Sequence, residues 1–219
     1  MRKYLLAILV GTLSAPAFAA ANNASADLDV HLSTLGYGLG IAFPMTDSID
    51  GRVGFNQFNK NLNKTSDQVN YTGDLKLSSF DALADWHLFN GVTHLTAGLM
   101  YNNNKLALTA VPSGGNITIN GNTYPSSTVG TMTAAVDFNK VAPYLGFGWS
   151  GQAKNTGFSF KSDFGILFQG KPKATVTCSN SGSNSALAAD CNAAQTTLSD
   201  DLKSYRYYPV ISLGIGYAF

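Results

Sequence analysis

The chain has 219 residues, of which only 12% are charged, about half the ~25% of ordinary soluble domains. Its 14 Lys and Arg against 13 acidic residues leave a net charge of +1, which excludes a polycation built to neutralise nucleic-acid phosphates. A hydrophobic fraction of 45% with 22 Gly, 13 Phe and 10 Tyr argues against disorder, and the absence of any Glu argues against a helical bundle.

The N-terminus reads as a targeting segment. Arg2 and Lys3 form a positive region, residues 4–13 are apolar apart from Gly11 and Thr12, and Ser14-Ala15-Pro16 breaks any helix. Ala17-Phe18-Ala19 then offers the small residues of a cleavage point. A ten-residue segment falls well short of the ~20 apolar residues that a spanning helix needs. Residues 1–19 are therefore expected to be a secretory signal peptide, cut after Ala19 or slightly beyond, with one β-barrel domain over residues 20–219. Removing Arg2 and Lys3 leaves 12 cations against 13 aspartates. No later stretch is as long as a spanning helix, so the mature chain is either soluble in an oxidising compartment or crosses a membrane with strands.

From residue 35 onward the pattern is alternation. Leu35, Tyr37, Leu39, Ile41 and Phe43 interleave with small residues, and Ile49, Val53 and Phe55 with Asp50, Arg52, Gly54 and Asn56. Phe80, Ala82, Ala84, Trp86 and Leu88 oppose Asp81, Leu83, Asp85 and His87; Leu95, Ala97, Leu99 and Tyr101 oppose His94, Thr96, Gly98 and Met100. Val141 to Trp149, Phe158 to Phe168 and Tyr205 to Phe219 repeat the scheme. A period of two over seven segments means strands with one apolar and one polar or small face. An eighth strand is expected at residues 28–33, or else within residues 106–138. Short connections at residues 44–48, at Asn90-Gly91 and at residues 151–156 face long polar ones at residues 59–67, 102–127 and 170–204, the asymmetry of outer-membrane barrels. Asn90-Gly91 and Asn120-Gly121 are type I′ turn pairs, the second predicting a small hairpin inside the middle loop.

A soluble sandwich also alternates, but its solvated faces would carry many more charges. Here the polar faces are rich in Gly, Ser and Thr, and aromatics (Phe43, Trp86, Tyr101, Trp149, Tyr217) gather towards strand ends as girdles do. The expected fold is an all-β, antiparallel, up-and-down transmembrane barrel of eight strands. Its partners are outer-membrane lipid and, during biogenesis, the outer-membrane assembly machinery, which reads a terminal aromatic strand; Tyr217 and Phe219 fit that signal.

The segments Thr34-Leu35-Gly36-Tyr37-Gly38-Leu39-Gly40, Asp85-Trp86-His87-Leu88-Phe89, Ala142-Pro143-Tyr144-Leu145-Gly146-Phe147-Gly148-Trp149, Gly170-Lys171-Pro172-Lys173 and Tyr208-Pro209-Val210-Ile211-Ser212-Leu213-Gly214 resemble the small outer-membrane β-barrel superfamily. That superfamily includes opacity-type surface antigens and the transmembrane domain of outer membrane protein A. The resemblance covers residues 28–219 and implies the barrel rather than an activity, since its members include adhesins, tethers and small pores.

An eight-stranded interior is just wide enough for side chains to fill. The polar positions assigned to it are Asp50, Arg52, Asp81, Asp85, His87, His94, Tyr144, Lys161, Asp163, Arg206 and Tyr208. They form either a polar plug or the lining of a narrow pore for ions or small solutes, and the plug is favoured. Three further constellations are weaker. His31 and Ser33 stand on one strand face, as in some lipid-modifying barrels, but without a Glu to orient the imidazole. Asp81 and Asp85 with His87 and His94 resemble a metal site less than an internal ion-pair network, so no metal or cofactor is expected. The glycines of residues 36–40 precede no helix and do not form a phosphate loop. Cys178 and Cys191, thirteen apart in an exported loop, are expected to form a disulfide clasping a helix over residues 185–202. The reading is thus a non-enzymatic, surface-exposed membrane protein whose loops contact a partner, with a narrow channel as the alternative and a lipid-modifying enzyme last.

Overall fold

The structure, a computed structural model, describes residues 26–66, 69–151, 153 and 156–219. The signal-peptide reading of residues 1–19 lies outside the described residues. Thirteen strands follow in order: β1 (Asp27–Ser33), β2 (Gly36–Pro44), β3 (Ile49–Ser66), β4 (Val69–His87), β5 (Thr93–Asn102), β6 (Lys105–Pro112), β7 (Asn116–Ile119), β8 (Asn122–Pro125), β9 (Met132–Asp137), β10 (Val141–Trp149), β11 (Gly157–Phe168), β12 (Lys173–Cys178) and β13 (Tyr207–Ala218). The one-turn helix α1 (Ser126–Val129) follows β8, and α2 (Ser185–Asp201) follows β12.

Eight of these strands close a ring in the order β1-β2-β3-β4-β5-β10-β11-β13, every neighbour antiparallel. The seam pairs β1 with β13 from Asp27↔Ala218 to Ser33↔Ser212. The eighth strand is therefore the one expected at residues 28–33. Side chains obey the period of two throughout: on β13, Tyr207, Ile211, Leu213, Ile215 and Tyr217 face outward and are exposed, while Val210 and Ala218 are buried. Leu39, Ile41, Phe55, Phe80, Leu95, Leu99, Leu145, Phe147, Phe160 and Ile166 continue this apolar exterior around the ring. In water so large an apolar surface would be a severe liability; against lipid it is the required exterior of a closed sheet.

The end of the barrel near the chain termini carries short turns, and the opposite end carries most of the remaining chain. Over their described residues, the connections read as polar loops contain strands and a helix. Residues 59–66 extend β3, which stays paired with β4 from Ile49↔Trp86 to Ser66↔Val69. The part of β4 over residues 69–76 leaves β5 and pairs with β6, which pairs with β9, which pairs with β12. A sheet of five strands thus rises from one side of the barrel. These segments read as loops because strands above the membrane have no lipid to enforce an apolar face. Runs such as Asn59-Lys60-Asn61 then lose the alternation that marks a spanning strand.

Two turns test the type I′ expectation. Asn120 and Gly121 both have positive φ (51° and 83°) and close the β7–β8 hairpin as expected. The turn after β4 is displaced by one residue. Its central pair is Phe89-Asn90, at φ 53° and 54°, with Gly91 N donating to Leu88 O at 2.9 Å. Continuing the His87↔His94 register would centre the turn on Asn90-Gly91, but the chain turns one residue earlier.

Above the barrel, α2 packs on β12 and closes a second small core of Ile119, Val129, Cys178, Leu187 and Cys191. Asn184 caps the helix by accepting from Leu187 N at 3.1 Å. The Cys178–Cys191 disulfide ties helix to strand. The disulfide and the helix at this place were both expected from sequence.

Candidate functional site

The interior of the barrel is the principal candidate site, and parity decides its membership: the inward positions of each strand carry the polar groups. β3 contributes Asp50, Arg52 and Asn56, β4 contributes Asp81, Asp85 and His87, β5 contributes His94 and Thr96, β10 contributes Tyr144, and β11 contributes Lys161 and Asp163. All are buried except Arg52 and Lys161, which keep slight exposure.

These groups fall into three connected layers. Nearest the termini, His87 Nε2 lies 3.1 Å from Asp50 Oδ2, and the backbone N–H of Ala153 donates to the same oxygen at 2.8 Å. His94 stands beside His87, ring centroids 5.4 Å apart, with its Nδ1 3.2 Å from Ser150 Oγ. In the middle, Arg52 makes a two-point contact with Asp85 (Nε–Oδ2 3.1 Å, Nη2–Oδ1 3.2 Å) and pairs with Asp163 on the opposite wall. Thr96 donates to Asp85 at 2.7 Å and Tyr144 donates to Asp163 at 2.9 Å. On the seam side, Lys161 Nζ reaches Asp27 at 3.2 Å and Asp29 at 3.1 Å. Asp29 Oδ1 lies 2.7 Å from His31 Nδ1, His31 Nε2 lies 3.0 Å from Asn56 Oδ1, and Asn56 Nδ2 donates to Asp81 at 3.1 Å.

Each buried charge therefore has an opposite or hydrogen-bonding neighbour, as desolvated ions require. The glycines of the inner wall make room for these groups. A Cβ on Gly146 would stand 2.6 Å from the Tyr144 hydroxyl, and one on Gly54 would stand 2.8 Å from Asp81 Oδ1. Asp85, His94 and Asp163 bring three ligand-type atoms within 4.8 Å of one another, the spacing of a metal site. The Arg52 guanidinium is already held by both of those carboxylates and takes the role a cation would have.

Towards the far end the interior turns apolar. Leu35, Leu83, Met100, Ala142, Tyr144, Leu167 and Val210 form one buried cluster across the bore, with Tyr208 packed against it. Asn102 and Gln169 are bonded above it at 3.3 Å, and Gln169 Nε2 donates to Tyr205 O at 2.9 Å. Among the described residues the bore holds a cavity of about 20 Å³ beside Arg52, Asp85 and His94 and another of about 30 Å³ beside Asn56, Asp81 and Met100. Each has room for a water or two.

Two of the residues assigned to the interior sit differently. Arg206 is not in the bore: it is exposed in the 3-10 turn ahead of β13, its guanidinium carbon 5.0 Å from the Tyr207 ring centroid. Parity was carried two residues past the start of the strand, where no pleat fixes direction. Tyr208 is half-buried at the rim and donates to Thr34 O at 2.6 Å. Sequence reasoning missed Asp27, Asp29 and Asn102, and left Asn56, Thr96 and Gln169 out of the interior network although it put them on polar faces. The aspartates at 27 and 29 share parity with His31 and could have been found from it. His31 and Ser33 both face the interior, where Ser33 Oγ lies 3.3 Å from Asn56 Oδ1, rather than lipid. Tyr217 and Phe219 are exposed on the outer surface at the terminal end of β13.

The cap above the barrel holds one further polar knot. Asp190 of α2 accepts from Asn120 at 3.1 Å, from Asn122 at 2.9 Å and from the Tyr124 hydroxyl, fastening the β7–β8 hairpin to the helix. These three donors, Tyr124 foremost, hold the Asp190 carboxyl below the usual carboxylate range.

No protein-family model matches the sequence, and no curated protein does. Among solved structures the chain is similar to two from Acinetobacter baumannii. It is 18% identical to CarO2, with a TM-score of 0.58 over 90% of this chain and 100% of that one. It is 16% identical to CarO, with a TM-score of 0.54 over 89% of this chain and 97% of that one. The shared property is the fold of small outer-membrane β-barrels. That fold and the apolar belt make this a barrel of the Gram-negative outer membrane.

Proposed function

We propose that the protein is a non-catalytic outer-membrane scaffold, a closed barrel that holds a rigid cap of sheet and helix at the cell surface. By the usual sidedness of such barrels the long connections are extracellular, which puts β6 to β9, β12 and α2 outside the cell. The observation that carries this reading is the filled bore. An apolar cluster from Leu35 to Val210 lies in series with the ion-paired layer around Arg52, and among the described residues the cavities beside Arg52 and Asn56 are the size of a water or two.

A conducting path would have to break the Arg52–Asp85 and Arg52–Asp163 pairs and also open the apolar cluster. Dehydrating an ion past such a constriction is costly, so the narrow-channel alternative is disfavoured by the same geometry. Its partners are lipid around the belt and a surface ligand on the cap. Planar-bilayer recording with the purified barrel tests the reading. The expected record is a silent bilayer; stable unitary current steps from the unaltered protein would replace the scaffold with a pore.

A further inference from the structure

The outward face of the extracellular sheet carries a row that strand pairing alone does not favour. Lys76 of β4 stands directly opposite Lys105 of β6, Lys105 opposite Asp137 of β9, and Asp137 opposite Lys173 of β12. Like charges in direct cross-strand register destabilise a sheet. The three lysines are exposed, and Asp137, 3.7 Å from Lys105 Nζ, is the row's one carboxylate. Asp74, two residues further up β4 on the same face, is the nearest other acid. Lys140 and Lys171, in the connections beside the row, are also exposed.

The height of this row gives it meaning. Continuous register along β4 puts Lys76 on the face that carries Phe80, Trp86 and the rest of the lipid-facing belt. Phe80 and its cross-strand partner Tyr101 mark the upper rim of that belt. Four residues of tilted strand place Lys76 about 10 Å above them, the depth of lipid headgroups rather than of open solvent. A lysine pair held in register over an apolar belt calls for a bound anion that is itself anchored in the lipid.

We infer that Lys76, Lys105 and Lys173 form a docking site for the phosphate groups of a phosphorylated glycolipid in the outer leaflet. The inference rests on the reading that the capped end of the barrel faces outside. Lipid phosphates bridging Lys76 and Lys105 relieve their repulsion, and the acyl chains then lie along Phe80, Leu99 and Tyr101. Each lysine near an anionic membrane surface is worth roughly fivefold in affinity, so three together amount to about 100-fold.

The test is titration of lipid A into the barrel in a non-ionic detergent, followed by native mass spectrometry. The unaltered protein is expected to take up lipid A saturably, and Lys76→Gln/Lys105→Gln/Lys173→Gln to bind about 100-fold more weakly. Lys60→Gln/Lys64→Gln, on the other face of the same sheet, should bind like the unaltered protein. Equal affinity of the triple variant, or equal uptake of lipid A stripped of its phosphates, overturns the site. Equal binding of phosphatidylglycerol overturns the glycolipid as its occupant. Heat-dependent gel migration of the same samples separates the two levels. A folded barrel that ignores lipid A refutes this site alone, whereas a chain that never folds in detergent refutes the barrel as well.

Discussion

Arg52 is the residue on which the interior turns. Its guanidinium is shared between Asp85 on a neighbouring strand and Asp163 across the bore, so its removal strands two buried carboxylates at once. Breaking a buried pair from one side typically costs 3–5 kcal/mol, so Arg52→Ala should lower barrel stability by about that amount in urea titration from micelles. Restoring balance with Arg52→Met/Asp85→Asn/Asp163→Asn should recover most of the loss; a triple variant as unstable as the single one would contradict the pairing. Asp190 makes the corresponding prediction for the cap. Its folded pKa is depressed, so its contribution is fully present above the unfolded value, near 3.9, and is lost as pH falls through the folded value. Acidification should therefore free the amides of β7 and β8 to exchange before those of the barrel, and Asp190→Asn should remove that acid step. Most interior groups were legible because parity on a lipid-facing strand leaves them one direction to point. Arg206 was misread because parity means nothing in the turn before β13. Asn56 and Gln169 stood on polar faces but were left out of the interior network, because uncharged amides carry no sign of pairing until their partners are known.

At the level of elements, the cap is a unit with its own core and its own staple. The disulfide closes a short loop, and in the chain-entropy estimate such a loop contributes about 3 kcal/mol. The thiols should resist alkylation until reductant is added. Cys178→Ser/Cys191→Ser should loosen α2 from β12, read as faster amide exchange in both, while the eight-stranded ring keeps its exchange protection. Two freely reactive thiols in the native protein would refute the bridge. The spanning strands and the helix could be read from periodicity because lipid and a buried helix face impose it. The extension of β3 and β4 and the strands β6, β9 and β12 could not, since runs such as Asn59-Lys60-Asn61 do not alternate and the short alternations of β6 and β12 (Leu106/Leu108, Ala174/Val176/Cys178) lie in the cap rather than against lipid. Even there the apolar residues Leu62, Tyr71, Leu108 and Met132 collect on the face towards α2.

For the whole molecule, the outward belt and the filled bore together fix how it behaves outside a membrane. A closed ring with every strand paired is expected to resist detergent at room temperature, so the unheated protein should migrate faster on a gel than the boiled one. The absence of that difference, or recovery of the processed chain as a monomer free of detergent, would rule out the barrel. Its charge is also polarised. Within the membrane the carboxylates Asp27, Asp29, Asp50, Asp81, Asp85 and Asp163 gather inside, while exposed lysines concentrate beyond the rim.

β4 belongs to two sheets at once. Its lower half is a stave of the cylinder and carries Asp81, Asp85 and His87, and its upper half is the spine of the cap. At about 3.3 Å per residue its 19 residues make one unbroken ribbon roughly 60 Å long, with no hinge between the two halves. A force applied to the cap is therefore carried directly to the ion pairs in the bore. With the cap outside the cell, as proposed, that ribbon would act as a lever whose fulcrum is the membrane, with the salt-bridged interior as its ballast.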